Sequence, residues 1–386
     1  MKKMKSGDNR EVSAVKKSMA LALCVVCALM TASCLPGILD SPNGSISDSI
    51  PTNASVNVAW GGDMCEADGN IYCISYNNSE YRIVRLDSDG NAVPISEEHD
   101  IIRYLVSDGA NIYFIASTWS NETESLFSVP ASGGEEKIIT DGHFLFLQYV
   151  NDRLFWEDFY IPSGEIAQDQ TMNITIHSIN PDGTEMKTLF AQEVPATSGH
   201  AVYFLATVDG LYYAISGSDK SDIFRMDLTG DNQTKINKSP LDTVDELFYD
   251  QGVLYFLMQH FTGSGPDPFW DSMETLDKNG NVKTIIKRVG YFPQDFGCVQ
   301  YCGVSNYITY YFDLPSSNGS SEHLYMNLHQ YDINKGKDTI ILRNVDMGDN
   351  FVASIRSIRG KNIENNGTSG MYILGNDIYF SPFALP

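Results

Sequence analysis

Runs of apolar residues at successive positions, separated by Asp-Gly or Asn-Asp turns, recur along most of the chain. The clearest pairs are Ile101–Val106 before Ile112-Tyr113-Phe114, Phe144–Tyr149 before Leu154-Phe155-Trp156, and Ala201–Thr207 before Leu211-Tyr212-Tyr213. Between each pair lies a tight turn: Asp68-Gly69, Asp108-Gly109, Asn151-Asp152, Asp209-Gly210, Gln251-Gly252 and Asn376-Asp377, with a degenerate copy at Ser305-Asn306-Tyr307. Asp-Gly and Asn-Gly supply the positive φ that short hairpins need. Apolar residues on both faces of a strand predict a sheet covered on both sides. No stretch has a helical period long enough to compete.

After each tyrosine-rich strand comes one with alternating polarity, such as Tyr81–Leu86, Asn173–Ile179 or Asp222–Met226. A glycine-bearing turn then leads to a last strand such as Lys137–Ile139 or Val282–Ile286. One four-stranded unit cannot bury both of its faces, so copies recurring every 40 to 60 residues must stack on one another. The expected fold is all-β: a β-propeller of seven four-stranded blades, with six or eight as open counts because residues 343–370 fit no unit cleanly. The last unit is short, which predicts that Val56–Trp60 closes the ring as an N-terminal strand.

Residues 1–33 stand apart from the repeat. Lys2, Lys3, Lys5, Arg10, Lys16 and Lys17 precede an apolar run from Met19 to Met30, and Thr31-Ala32-Ser33 lead to Cys34. This matches a secretory signal, and the run is too short to span a bilayer. The residues before Cys34 resemble a bacterial lipobox, although Thr31 stands where leucine is usual. The resemblance implies a lipid-modified Cys34 at the mature N-terminus; cleavage near Ala32 or Ser33, or an uncleaved anchor, are the alternatives. Residues 34–54, rich in Ser, Pro, Gly and Asn, read as a flexible tether, and 55–386 as the propeller. The expected location is the cell envelope, outside the cytoplasm and held at a membrane by lipid.

Removing residues 1–33 takes away six basic and two acidic residues and moves the formal charge from −23 to −27. Such a surface repels phosphate backbones, so nucleic acid is not an expected partner. Scattered Asp and Asn in turns keep an exported protein dispersed, and a monomer is expected. Of the seven cysteines, Cys24 and Cys27 lie in the signal and Cys34 at its end. Cys65 and Cys73 flank the first Asp-Gly turn and are expected to face each other across a hairpin, close enough for a disulfide. Cys298 and Cys302 are too far apart on one extended strand to bond each other; each is read as a small buried hydrophobe, with pairing elsewhere as the alternative.

At its turns the repeat, with segments such as Asn180-Pro181-Asp182-Gly183-Thr184, resembles the low-density-lipoprotein-receptor type of propeller and the bacterial propeller domains of unknown function related to it. The resemblance covers about residues 55–382. The receptor group's Tyr-Trp-Thr-Asp strand is absent, with Leu154-Phe155-Trp156-Glu157 its nearest approach. What the resemblance implies is the fold, not an activity.

The seven histidines, at 99, 143, 177, 200, 260, 323 and 329, have no metal-ligand spacing, and no cofactor-binding or nucleophile motif sits in a fitting context. No cofactor or metal is therefore expected. Asp87-Ser88-Asp89-Gly90-Asn91 resembles part of a calcium loop but lacks its closing glutamate, and a plain β-turn explains it. Sequons such as Asn121-Glu122-Thr123 reflect loop composition. The informative positions are aromatics where the units lengthen: Trp119, Phe159, Tyr160, Phe269 and Trp270. Rings on polar loops suit stacking on sugars or anchoring a protein. The function expected is non-catalytic binding of a protein or glycan. A carbohydrate-active hydrolase or lyase, with carboxylates converging at the channel mouth, and a scaffold subunit of an envelope assembly are the alternatives.

Overall fold

A computed structural model describes residues 62–77, 80–87, 91–117, 124–159, 171–195, 201–216, 220–261, 269–287, 302–313, 325–346, 354–357, 362–364, 370–374 and 377–381. Blade 1 consists of β1 (Met64–Ala67), β2 (Asn70–Asn77), β3 (Glu80–Leu86) and β4 (Ala92–Pro94). Blade 2 has β5 (Ile101–Ser107), β6 (Asn111–Ser117), β7 (Glu124–Pro130) and β8 (Lys137–Gly142). Blade 3 has β9 (Leu145–Val150), β10 (Arg153–Phe159), β11 (Thr171–Ile179) and β12 (Lys187–Pro195). Blade 4 has β13 (Ala201–Thr207), β14 (Gly210–Ser216), β15 (Ser221–Met226) and β16 (Thr234–Lys235). Blade 5 has β17 (Thr243–Asp250), β18 (Val253–Phe261), β19 (Phe269–Leu276) and β20 (Val282–Ile286). Blade 6 has β21 (Cys302–Ser305), β22 (Ile308–Asp313), β23 (Tyr325–Asp332) and β24 (Lys337–Asp346).

These six blades are antiparallel sheets with their strands in sequence order, the wiring of a β-propeller. A further sheet of β25 (Ser354–Ser357), β26 (Asn362–Glu364), β27 (Gly370–Leu374) and β28 (Asp377–Ser381) has the order β26-β25-β28-β27. The expectation of seven uniform blades closed from the N-terminus is therefore corrected. The repeat's wiring holds for six blades; the last sheet takes β25 and β26 from the residues 343–370 that fitted no unit and joins them to β27 and β28 of the short last unit. Val56–Trp60 lies outside the described residues, as do the signal segment, Cys34 and the tether. Consecutive first strands pack on one another from β1 to β21, and β27 touches both β21 and β1.

The turns between first and second strands obey the sequence. Asp68-Gly69, Asn151-Asp152, Gln251-Gly252 and Asn306-Tyr307 all have positive φ at both positions, as the type I′ hairpin requires. The apolar runs become interfaces between blades. Blades 1 and 2 share a cluster including Tyr72, Ile74, Ile83, Ile112 and Phe114. Blades 2 and 3 enclose Leu126, Phe144, Leu154 and Trp156, while Phe155, Ile174, Phe204 and Tyr213 fill the space between blades 3 and 4. Each such side chain contributes about 1.5 to 3 kcal/mol when fully buried.

Polar side chains stitch the same interfaces. Tyr72 donates its hydroxyl hydrogen to the Ala131 carbonyl at 2.9 Å, from blade 1 to blade 2. Asp250, in blade 5, accepts the backbone N–H groups of Asn306 and Tyr307 at 3.0 and 2.7 Å, holding the first turn of blade 6.

A Cys65–Cys73 disulfide, which the spacing allowed, is not formed, and both thiols are buried. The hairpin pairs Cys65 with Tyr72 and Met64 with Cys73. Cys65 packs between blades 1 and 2, whereas Cys73 packs with Met64, Val84 and Leu86. An offset of one residue places the two sulfurs on opposite faces of the sheet. Cys302 belongs to β21, and Cys298 lies outside the described residues.

Candidate functional site

Sequential strand order sends every connection between second and third strands to one edge of the wheel. Three of the hairpins on that edge carry the aromatic positions singled out in the sequence. In blade 2, β6 ends at Ser117 and β7 begins at Glu124, with Trp119 between them and outside the described residues. In blade 3, Phe159 ends β10 with its backbone opposite Ile174, and Tyr160 lies just beyond, outside the described residues. In blade 5, Phe269 and Trp270 open β19 opposite Phe261 and His260. Their backbones thus occupy hairpin ends on a common edge; the side chains of Phe159, Phe269 and Trp270 also lie outside the described set.

The first strands break their ladders near this same edge. Pairing shifts between Arg103 and Val106 in β5, at Phe155/Glu157 where β10 meets β9, and between Val244 and Glu246 in β17. Tyr104 and Phe146 take φ of 58° and 55°, a left-handed conformation that costs a bulky residue about 1 to 3 kcal/mol. Bulges of this kind bend a strand and re-aim its side chains. Here the ring of Phe146 meets those of Tyr104 at 6.4 Å and Tyr203 at 6.1 Å, an aromatic row across blades 2 to 4. Arg103 pairs with Glu124, whose other oxygen accepts the N–H of Phe144 at 3.2 Å.

Beside these bulges lie carboxyl groups in apolar surroundings. Glu157 is only 3% exposed and its Oε2 has no hydrogen-bond partner. Burial, reinforced by the neighbouring Asp158 charge, raises its pKa well above the usual carboxyl range. In blade 5, Asp245 is the residue inserted by the bulge, Glu246 follows it, and Asp271 stands on β19. Asp271 is 3% exposed with Oδ1 unpartnered, and Glu246 is partly buried with Oε2 covered and unpartnered. Burial and the Asp245 charge push Asp271 up to about 8, and burial with Asp245 and Asp271 raises Glu246 further from its ordinary value. Sequence reasoning passed over these groups. The signal available was an acidic pair, Glu157-Asp158 or Asp245-Glu246, inside an otherwise apolar strand.

The described histidines have local partners. Directly opposed residues of second and third strands stack in four blades: Phe114 on Phe127 at 5.4 Å, Trp156 on His177 at 5.4 Å, Tyr213 on Phe224 at 5.2 Å and Tyr311 on His329 at 4.8 Å. His177 and His329 therefore fill positions that phenylalanine fills elsewhere. His177 is further held by Thr175 and Thr188, and His329 by Asp338 at 2.9 Å. His99 bonds Glu136 at 2.9 Å. His260 is set between Asp242, 2.9 Å from Nδ1, and Ser272, 2.8 Å from Nε2. That order matches a hydrolytic triad, but Ser272 has no exposed surface and sits within the β18–β19 ladder, so the chain acts as a rivet between strands. His200 and His323 lie outside the described residues, and among the described residues no group of three ligands is set to hold a metal.

The turn at Asp87 consumes its own carboxylate. Asp87 accepts the Asn91 backbone N–H at 2.8 Å and its side-chain amide at 2.9 Å, and Asp277 does the same for Asn281. The segment from Asp277 to Asn281 is a turn of this kind, while residues 88–90 lie outside the described residues.

No family model matches the chain, and no curated protein matches it. Solved structures share its architecture. A puromycin-hydrolyzing peptidase of Mycobacterium tuberculosis matches with TM-score 0.51 and 11% identity, over 80% of this chain and 50% of the peptidase. The chain thus spans about half the length of that enzyme. A nidogen/laminin complex structure matches with TM-score 0.41 and 14% identity, over 69% of this chain and 91% of the matched one. An oligogalacturonate lyase of Vibrio parahaemolyticus matches with TM-score 0.45 and 10% identity, over 65% and 73% of the two chains. At 11% identity the peptidase match bears on the fold alone and agrees with the strand wiring: the protein is a β-propeller.

Proposed function

We propose that this protein is an exported, lipid-anchored recognition module that binds a protein or glycan without transforming it. The observation that supports the reading is the common edge shared by the β6–β7, β10–β11 and β18–β19 hairpins, which carry Trp119, Phe159, Tyr160, Phe269 and Trp270. Rings presented together on one rim stack on sugar faces or fill pockets on a protein, and only a few such anchors need carry the affinity. In this reading Cys34 bears the lipid, and residues 34–54 give reach from the membrane.

The test is direct. Trp119→Ala and Trp270→Ala are expected to leave Tm unchanged and to remove binding on a glycan array or to a purified envelope partner. Capture that survives both substitutions refutes the recognition face. Cys34→Ala is expected to abolish incorporation of labelled fatty acid and to release the protein from membranes.

A further inference from the structure

We infer that the inner rim of blades 2 to 4 holds a subsite for a neutral glycan, its sugar ring stacked on Phe146 between Tyr104 and Tyr203 and its hydroxyls met by Arg103 and Glu157. The inference rests on the reading of this edge as a recognition face and adds residues to it. In β5 the two residues Tyr104 and Leu105 stand against Phe114 alone, and in β9 Phe146 and Leu147 stand against Trp156 alone. Phe114 and Trp156 are each the fourth residue of their second strand, so adjacent blades carry the same bulge at the same place. In both bulges the first residue of the pair has a left-handed φ, a conformation that glycine takes without strain. Two neighbouring blades thus accept strain to hold an aromatic ring at this point. The rings meet, Phe146 lying 6.4 Å from Tyr104 and 6.1 Å from Tyr203 between centroids.

The polar groups around this row point to a sugar. Glu157 stands opposite Leu145, the residue before Phe146, and strand alternation puts it on the same side of β10 as Phe155, which packs in one cluster with Phe146 and Phe204. Its Oε2 is a buried acceptor with no hydrogen-bond partner, and Nε of Arg103, the residue before Tyr104, is a buried donor with none. Burial raises the pKa of Tyr104, opposed by the Arg103 charge and a backbone hydrogen bond at Phe146 and reinforced by the charges of Asp63 and Glu157. Orphaned donor and orphaned acceptor therefore lie near one phenol. An apolar side chain stacked on the rings would leave both unpaired, whereas a hydroxyl donates and accepts, and a sugar carries several beside an apolar ring face. Phe146 and Tyr203 keep part of their surface exposed, which leaves the row open to such a ligand. A formal charge of −23 repels uronates and sulfated sugars, so the glycan is a neutral one.

The experiment is calorimetric titration of the intact protein with neutral hexasaccharides of glucose, mannose and galactose, and with an oligogalacturonate as the anionic comparison. Saturable binding of a neutral hexasaccharide is expected. Phe146→Gly removes the ring and relieves the left-handed backbone, so it is expected to weaken binding tenfold or more while Tm holds. Glu157→Met keeps the length of the side chain without its polar atoms and is expected to weaken binding by a similar factor; it decides the matter should Phe146→Gly lower Tm. No binding of any neutral hexasaccharide, tighter binding of the oligogalacturonate, or unchanged affinity in both variants overturns the inference. The outer rim fails separately. Binding lost in Trp119→Ala and Trp270→Ala but intact in Phe146→Gly and Glu157→Met overturns the subsite and leaves the rim reading, and the reverse pattern upholds the subsite and refutes the rim.

Discussion

The Oε1 of Gln148 accepts the backbone N–H of Ala206 at 2.8 Å, and the same amide donates from Nε2 to the Phe204 carbonyl at 3.0 Å. A side chain of blade 3 thereby supplies both hydrogen bonds that a neighbouring strand would give to β13. Gln148 is 2% exposed, so water cannot take its place. Gln148→Leu should leave a buried donor and acceptor unpaired and destabilise the fold by about 2 to 4 kcal/mol, read as a lower urea midpoint with an unchanged slope.

Glycine at 280 is required by two independent contacts. Its φ is +76°, and a Cβ there would collide with the Ile236 carbonyl oxygen of blade 4, while its own carbonyl accepts the Lys238 N–H at 2.8 Å. Gly280→Ala is expected to cost about 2 kcal/mol or more, through left-handed strain together with the displaced interface. Gly252→Ala, at a positive φ but in open space, should cost less. Paired thermal melts compare the two.

Stability should peak in mildly acidic buffer. Glu157, Glu246 and Asp271 have folded pKa values above their unfolded ones, so the native state holds more protons than the unfolded chain. Their contribution is complete below the ordinary carboxyl range and is lost as pH rises, for Asp271 between its usual 3.8 and about 8. Asp108 works the other way. Burial pushes its pKa up, but hydrogen bonds from Tyr113, Asn111 and Ala110 outweigh that and lower it, so its stabilisation is lost as pH falls below 3.8. Glu157→Gln and Asp271→Asn should each raise Tm at pH 8 by about 2 °C or more, with little change at pH 4.5. Equal shifts at both pH values would exclude the ionisation account.

Cys65 and Cys73 should resist alkylation in the folded protein and react after denaturation. Burial, with the Cys73 and Glu66 charges adding to it, raises the Cys65 pKa and keeps its thiol protonated. Iodoacetamide labelling read peptide by peptide is expected to show no native modification at either position. A disulfide-linked peptide joining them would contradict the register of β1 and β2.

The sequence alone determined the strands, the turns and the propeller, because these depend on neighbours in the chain. Asp68-Gly69 or Gln251-Gly252 specifies a hairpin by the φ its residues tolerate, and continuous apolar runs demand cover on both faces whatever provides it. The aromatic hairpins could be assigned to one edge for the same reason, since strand order fixes where each connection emerges. Tertiary structure decided what depends on register and on contacts between blades. One residue of pairing separates Cys65 from Cys73, and bulges that no local signal announces turn Tyr104, Phe146 and Asp245. Only packing against the next blade makes Gln148 a ladder partner, His177 a stacked ring, and Asp271 a buried acid. Burial raises the pKa of a carboxyl through the solvent it loses, and that loss is a property of the assembled wheel.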